Sequence, residues 1–308
     1  MATAVAAGRV QRRSNPATAS RRRQAVSFAV FLFAILLIWE GVKFLGGTPW
    51  RSPGALPGSP VIWDPPFRWP FANDLMLPHV WNIVLAYVQP WQPGRDDTSL
   101  AQKLVEAGLF TWRSAAIGFV FGTVLGLVLA TIFVHSRLLE RALVPYVIAS
   151  QTIPIIALAP LIIFAFGQNA VSVVLIATYL TFFPVTIAMI RGLRSYDPRA
   201  MELMRSYAAS RSQVYWKLRF QASLPYLFTA LKISATAGIV GAIIGEGPGG
   251  LTDGLGLLIM TFNQYYITGP EKLWAAIGGT AVLGIIFFLV IVAAEALVLR
   301  NRRRPEYA

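Results

Sequence analysis

The chain has 308 residues, of which 56% are hydrophobic and only 13% are charged, and its mean hydropathy is +0.58. Because the apolar residues come in long runs, this composition excludes a soluble domain and indicates an integral membrane protein. The net charge of +13 does not indicate nucleic-acid binding, since the arginines cluster at the ends of apolar runs, where membrane proteins carry topology signals.

Missing residue types exclude several kinds of site. The chain has no cysteine, and therefore no disulfide, thiolate metal site or cysteine nucleophile. His79 and His135 are far apart in sequence, so we expect no metal site. No G-x-x-x-x-G-K-[ST] sequence occurs, and Gly245, Gly247 and Gly250 match a dinucleotide fingerprint without a surrounding strand–turn–helix unit. We expect no cofactor in this chain.

The N-terminal half of the sequence predicts three segments. Residues 1–26 form a basic tail with six arginines and no acid. The apolar run 27–45 is long enough for a first transmembrane helix, and no cleavage site follows it, so we expect an uncleaved span with the N-terminus inside. Residues 46–110 are too rich in proline and glycine for a span. We expect an extracytoplasmic segment with an interfacial helix near 77–88, which caps the membrane helices or contacts a partner.

Residues 111–299 predict a five-helix core, followed by a basic cytoplasmic tail at 300–308. The fold class is therefore an all-α membrane protein with about six transmembrane helices. Gly118, Gly122 and Gly126 form a small-xxx-small repeat, which predicts close helix packing in the second span. The remaining spans are expected at about 111–134, 142–166, 173–190, 225–244 and 273–299.

The third predicted span contains three prolines, Pro145, Pro154 and Pro160. Each proline frees a backbone carbonyl, which in a membrane must be satisfied by protein or by a water-lined cavity. Gln151, Thr152 and Pro154 are therefore candidates for the substrate path, together with Tyr179. Ordinary interhelical hydrogen bonds are the equally open alternative.

Residues 197–225, the docking segment, connect the fourth and fifth predicted spans. Asp197 before Pro198 has the pattern of an N-cap, and Ser210 with Gln213 has that of a capping box. The segment therefore predicts two short basic helices with a break at 208–210. The predicted inside segments hold nineteen basic residues against seven outside, which places this segment and both termini in the cytoplasm.

Few ionisable groups fall within the predicted spans. Glu40, Glu246 and Glu295 lie at span ends or in the last span, and Lys232 lies near a span start, where it is expected to snorkel to the interface. The sequence predicts no Asp/Glu/His relay in spans two to four, which disfavours proton coupling. If such a chain transports a solute, another subunit must supply the energy, because the sequence predicts neither a nucleotide site nor an ion relay.

The docking segment resembles the cytoplasmic loop of the permease subunits of bacterial ABC importers. That loop has Glu-Ala-Ala, three residues, Gly, an apolar stretch and Leu-Pro. Glu202, Leu224 and Pro225 match it, whereas Ala208 replaces the glycine and argues against a left-handed turn there. The sequence departs from the family pattern at three further positions, since Leu203 and Met204 replace the two alanines and Gln221 stands where many members have a proline.

The resemblance covers about residues 75–300 and is greatest to the nitrate, sulfonate and taurine branch, through residues 153–168, 182–193 and 254–256. Within that branch, residues 245–256 and 262–275 are similar to permeases for riboflavin or a pyrimidine thiamin precursor. Such solutes favour aromatic and amide contacts, and the chain offers five of them: Gln151, Tyr179, Asn263, Tyr265 and Tyr266. Ordinary packing and anchoring at the membrane interface are the alternative role for each of these residues.

The family resemblance implies an assembly in the bacterial inner membrane. Two permease subunits form the pore, two ATPase subunits hold ATP and magnesium, and an extracytoplasmic solute-binding protein delivers the solute. The chain is then not an enzyme on its own. The coupling loop is 191–222, its ATPase-coupling residues are Glu202, Arg205, Tyr207, Ala208, Ala209, Ser210 and Arg211, and its apolar contacts are Met204, Tyr207, Val214, Tyr215 and Trp216.

Two other functions remain open at the level of sequence. A self-sufficient secondary transporter or channel requires ion-site residues within the membrane. A membrane-embedded enzyme requires convergent ionisable or nucleophilic groups inside the spans.

Overall fold

The structure, a computed structural model, describes residues 16–51, 59–92, 94, 96–247 and 253–300. The predicted C-terminal tail and most of the N-terminal tail lie outside these residues. The chain divides into two compact units, one up to Asn82 and one from Ile83 onward. The helices are α1 (Pro16–Leu45), α2 (Val80–Ala86), α3 (Leu100–His135), α4 (Arg137–Ser150), α5 (Ile155–Phe166), α6 (Ala170–Gly192), α7 (Pro198–Ser206), α8 (Arg211–Gln213), α9 (Phe220–Glu246), α10 (Leu255–Gln264) and α11 (Pro270–Leu299).

The first unit contains the predicted first span and part of the Pro/Trp-rich segment. The apolar part of α1 runs over Val26–Leu45, close to the prediction. The chain after α1 folds back onto its end, because the buried ammonium of Lys43 lies 2.5 Å from Asp74 and Glu40 accepts a hydrogen bond of 2.8 Å from the amide of Val80. The polar contacts of this end of α1 are thus made inside a folded lobe.

After the end of α2, the second unit continues with a short β hairpin and then with α3, a helix of 36 residues. Strands β1 (Pro90–Gln92) and β2 (Asp96–Ser99) pair antiparallel. The capping box of Ser99 and Gln102 starts α3 at Leu100, earlier than the predicted 111. The first turns of α3 include polar residues, so the apolar run begins later than the helix itself. The prediction from apolar residues therefore placed the helix start too late.

Close contact between α3 and α6 confirms the packing role of the glycine repeat. A Cβ atom added to Gly118, Gly122 or Gly126 lies only 2.5–2.7 Å from the nearest atom of α6. The corresponding face of α6 is buried, including Ala177 and Thr181. Small residues at a membrane helix interface let two backbones approach in this way. Gly241 of α9 is also close to Ala177, so α3, α6 and α9 form the centre of this unit.

The third predicted span, at about 142–166, is sharply bent in the structure. Helices α4 and α5 differ in direction by 99° across residues 151–154, and together they are apolar enough to form one broken span. Pro154 disfavours a helical conformation at the preceding residue, which ends α4 and lets α5 start in a new direction. Pro145 and Pro160, in contrast, lie inside α4 and α5.

We predict that Gly122→Ala lowers the free energy of unfolding by about 1–3 kcal/mol, because the added methyl group forces α3 and α6 apart. Thermal unfolding of the purified chain in detergent measures this. Gly284→Ala in α11 is the matched control, since no atom lies within 4 Å of its added Cβ. Alanine is the better helix former, so this control is expected to be neutral or slightly stabilising. Equal effects of the two variants would contradict the packing role.

Candidate docking site and substrate path

The docking segment has the two caps that the sequence predicted. Asp197 accepts a hydrogen bond of 2.8 Å from the amide of Arg199 and starts α7. Ser210 and Gln213 bond reciprocally to each other's backbone amides, at 2.8 and 3.3 Å, and start α8. Because these side chains satisfy the free amides at both helix starts, the sequence itself fixes where the segment turns.

Ala208 argued against a left-handed turn, and this expectation is wrong, since its φ is +50°. The amide of Ala208 donates to the carbonyl of Arg205, and that of Ala209 donates to the carbonyl of Met204, both at 2.9 Å. This pair of bonds is a Schellman motif, in which glycine usually occupies the left-handed position. The two bonds hold alanine in a conformation that glycine would adopt at lower cost.

The second short helix is continuous with the fifth span. The chain is helical from Arg211 to Glu246, through a π-helical stretch at Val214–Arg219 in which the amide of Phe220 bonds to the carbonyl of Tyr215. The expectations of a separate short helix and of a span that starts near Pro225 are therefore wrong. Pro225 lies inside α9. Any force on α8 thus acts directly on a helix that crosses the bundle.

The exposed face of the docking segment carries apolar side chains. Tyr207 is 77% exposed, and Leu203, one turn earlier on α7, is 56% exposed. Trp216 is 57% exposed. Leu203 was missed by the sequence prediction, although its spacing of four residues from Tyr207 places both on one helix face. Large apolar side chains left exposed on a capped helix indicate a contact surface.

The other predicted docking residues divide into two groups. The charged or polar ones are exposed around the apolar side chains: Glu202, Arg205, Ser210 and Arg211. Met204, Ala209 and Val214 are half-buried. Tyr215 faces the bundle, because its hydroxyl lies 2.8 Å from Oγ1 of Thr131, and its prediction as a partner contact is wrong.

The four candidate path residues lie together at the bend between α4 and α5. Gln151 and Thr152 end α4, and Pro154 precedes α5. Tyr179 of α6 donates a hydrogen bond from its hydroxyl to the carbonyl of Ser150, a group that the bend leaves without a helical partner. The side chain of Gln151 is exposed, whereas the hydroxyl of Thr152 bonds to the carbonyl of Ala149 at 2.7 Å. The amide of Gln151 is therefore the polar group that this bend presents.

The other aromatic and amide candidates lie elsewhere, at the end of α10: Asn263, Tyr265 and Tyr266. Tyr265 lines a cleft of about 350 Å³ with Trp91 and Lys272. Neither Asn263 nor Tyr266 lines it. The structure thus does not bring these three residues to the bend with Gln151.

The charged residues of the spans pair with polar groups. Lys232 of α9 and Glu295 of α11 form an ion pair of 2.9 Å, and each side chain is about three-quarters buried. The expectation that Lys232 snorkels to the interface is therefore wrong. An opposite charge on a neighbouring helix satisfies the ammonium within the bundle.

Glu246 joins three helices at the opposite end of α9 from the docking segment. It is buried, and its Oε2 accepts hydrogen bonds from Thr111 of α3 at 2.8 Å and from the amide of Gly256 at 3.0 Å. Gly254 has a φ of +119°, and a Cβ there lies 2.5 Å from the carboxyl group of Glu246. We call the contacts of Glu246 with Thr111 and Gly256 the clasp. The sequence analysis missed the clasp and helix α10, although Gly254 and Gly256 near an acidic residue were a usable signal.

Comparisons with known proteins agree with the resemblance. A model of the family described as "Binding-protein-dependent transport system inner membrane component" matches residues 122–305. The chain is 34% identical to the "Formylaminopyrimidine transport permease protein ThiX" of Halalkalibacterium halodurans, over 61% of this chain and 74% of that protein. It is 32% identical to the "Riboflavin transport system permease protein RibX" of Chloroflexus aurantiacus, over 54% of this chain and 61% of that one.

Two further similarities bear on the branch and the fold. The chain is 32% identical to the "Putative aliphatic sulfonates transport permease protein SsuC" of Bacillus subtilis, over 62% of this chain and 68% of that protein. A solved structure of an amino acid ABC transporter covers 63% of this chain and 94% of its own, with a TM-score of 0.52 at 16% identity. At that identity the structural match shows the fold alone.

We predict that Ala208→Gly stabilises the turn by up to about 1 kcal/mol, because glycine adopts a left-handed φ without a Cβ penalty. Hydrogen exchange at the amides of residues 208 and 209 is expected to slow. Ala209→Gly is the control, since Ala209 does not have a positive φ. Faster exchange in Ala208→Gly would contradict the strained turn.

We predict that Glu246→Ala lowers the free energy of unfolding by about 1–3 kcal/mol, because it leaves the buried amide of Gly256 without its acceptor. Glu106→Ala removes an exposed carboxylate of α3 and is expected to change stability little. Thermal unfolding of both purified variants tests the clasp. A Glu246→Ala chain as stable as the control would show that the clasp is not stabilising.

Proposed function

Because this chain belongs to the family of binding-protein-dependent transport system inner membrane components, we propose that it is the membrane-spanning subunit of an ATP-driven importer for a small organic solute. The observation that carries the proposal is the docking segment, which has exposed apolar residues and continues as one helix into the bundle. The sequence has no P-loop of its own, so the ATPase is a separate subunit.

The coupling contact is an apolar anchor with a charged rim. Leu203, Tyr207 and Trp216 fill a groove on the ATPase, where burial of large exposed side chains supplies most of the binding energy. Glu202, Arg205 and Arg211 surround the anchor and fix its register through charge. ATP and magnesium bind on the ATPase partner. Closure of the paired ATPases moves α8, and α9 moves with it because the two are one helix.

The solute crosses between two copies of the chain, next to the bend between α4 and α5. The exposed amide of Gln151 supplies both a hydrogen-bond donor and an acceptor there. Thr152, Pro154 and Tyr179 hold the bend in shape. An extracytoplasmic solute-binding protein delivers the solute to the end of the bundle where α10 lies.

The solute is of the riboflavin or pyrimidine kind, or of the sulfonate or nitrate kind. Its support is the range of named relatives, whose solutes include a formylaminopyrimidine, riboflavin and aliphatic sulfonates. Uptake of labelled riboflavin, a pyrimidine thiamin precursor and an alkyl sulfonate by cells with and without the chain distinguishes the two classes. No uptake difference for any of them would contradict both assignments.

The chain lies in the bacterial inner membrane with the docking segment and both termini in the cytoplasm. The support is the excess of arginine and lysine in the segments that the sequence predicts on that side of the membrane. An ATPase has access to ATP only on the cytoplasmic side, so the same orientation is needed for coupling.

We predict that Tyr207→Asp abolishes co-purification of an ATPase subunit with the chain in mild detergent, because a charge replaces the aromatic anchor. Tyr265→Asp, at another exposed tyrosine beyond α10, is the control and is expected to retain the subunit. Mass spectrometry identifies the partner by its Walker A sequence. Solute transport by the chain alone in liposomes under an ion gradient would favour the secondary transporter instead.

The absence of native cysteine allows a direct test of orientation. We predict that Ser212→Cys reacts with a membrane-impermeant thiol reagent only after spheroplasts are permeabilised. Thr98→Cys, in β2 before α3, is expected to react in intact spheroplasts. Both positions are exposed, so the side of the membrane decides the labelling. The reverse pattern would contradict the proposed orientation.

A further inference from the structure

A basic cleft of about 840 Å³ lies where α3 and α6 end and α4 begins. Four arginines line it against a single carboxylate, that of Glu140. The arginines come from three parts of the chain: Arg137, Arg141, Arg194 and Arg219. Arg219 lies in the docking segment, but none of the four arginines is among the predicted ATPase-coupling residues or on the exposed apolar face.

The single carboxylate of the cleft is already neutralised. Arg194 donates two hydrogen bonds to Glu140, of 2.8 and 2.7 Å, in a bidentate pair. Arg219 is held in place by the ring of Tyr196, whose centre is 5.2 Å from the guanidinium carbon. Within the part of the chain that the structure describes, Arg137, Arg141 and Arg219 form no ion pair. Three guanidinium groups therefore carry uncompensated charge into one cleft.

Apolar side chains border the basic groups of the cleft. Val134, Val144 and Pro145 line the cleft beside the arginines. None of the side chains of α4 is fully buried within the chain, and its outward residues Leu138 and Tyr146 are 78% and 74% exposed. A ligand in this cleft thus meets cationic groups at one side and an exposed apolar helix at the other.

We infer that this cleft binds the phosphate headgroup of an anionic phospholipid, with the acyl chains along α4. Guanidinium groups bind phosphate oxygens through paired, charge-assisted hydrogen bonds. Basic pockets between transmembrane helices at the membrane surface recognise anionic lipid headgroups on this basis. The inference depends on the helices that span the membrane and not on ATP coupling or on the identity of the solute.

Native mass spectrometry of the full-length chain in a neutral detergent tests this site. Phosphatidylglycerol is expected to bind in preference to phosphatidylethanolamine with the same acyl chains. The variant Arg137→Gln/Arg141→Gln is expected to lose roughly twenty-fivefold in affinity for phosphatidylglycerol, from about fivefold for each arginine. Arg191→Gln/Arg199→Gln removes the same charge outside the cleft and is expected to bind as the unchanged chain does. Equal binding of the two lipids, or equal losses in the two variants, would overturn the inference.

Two more arms separate the sources of phosphate and do not depend on the folding of a variant. Inorganic phosphate at millimolar concentration is expected to leave lipid binding unchanged, and displacement of the lipid would assign the cleft to free phosphate. Photoactivatable phosphatidylglycerol is expected to label residues 137–145 of the unchanged chain, and labelling spread over all spans would overturn the site. Loss of the ATPase with full lipid binding in the cleft variant would assign the cleft to a protein contact.

Discussion

The close contact of α3, α6 and α9 is the constraint on which the rest of the structure depends. Glycines of α3 lie against the backbone of α6, and Gly241 of α9 lies against Ala177 of the same helix. In a lipid bilayer, close packing of this kind is a main source of helix association, since burial of apolar surface gains little there. The position of every other functional element is set from this centre: the bend through Tyr179 and the docking helix through α9.

Because α8 is continuous with α9, a displacement of the docking segment also displaces the fifth span. A flexible linker between a surface helix and a span would absorb a displacement, whereas an unbroken helix transmits it along its length. The turn at Ala208 places α7 beside this helix, and two hydrogen bonds hold the turn despite the Cβ penalty. At the far end of α9, Glu246 ties the same helix to α3 and to the start of α10. A displacement of α8 is thus transmitted through α9 to the contacts that Glu246 makes with α3 and α10 at the other end of the bundle.

Local rules predicted much of this chain, and longer-range contacts account for what they missed. Caps at Asp197 and Ser210 were readable because they depend on residues within three positions. The 99° bend was missed because the sequence offers three prolines and does not show which of them breaks the helix. The contact between Tyr179 and the carbonyl of Ser150 marks the break at Pro154, and this contact joins residues far apart in the sequence. The pairing of Lys232 with Glu295 joins residues 63 apart, and no local pattern indicates such a contact.

The central claim is that an ATPase in the cytoplasm holds the exposed face of the docking segment. A photo-crosslinking amino acid in place of Tyr207, activated in intact cells, tests it most directly. We predict one dominant adduct, whose partner carries a Walker A sequence and is cytoplasmic. An adduct with lipid alone, or with an extracytoplasmic protein, would contradict the proposed coupling.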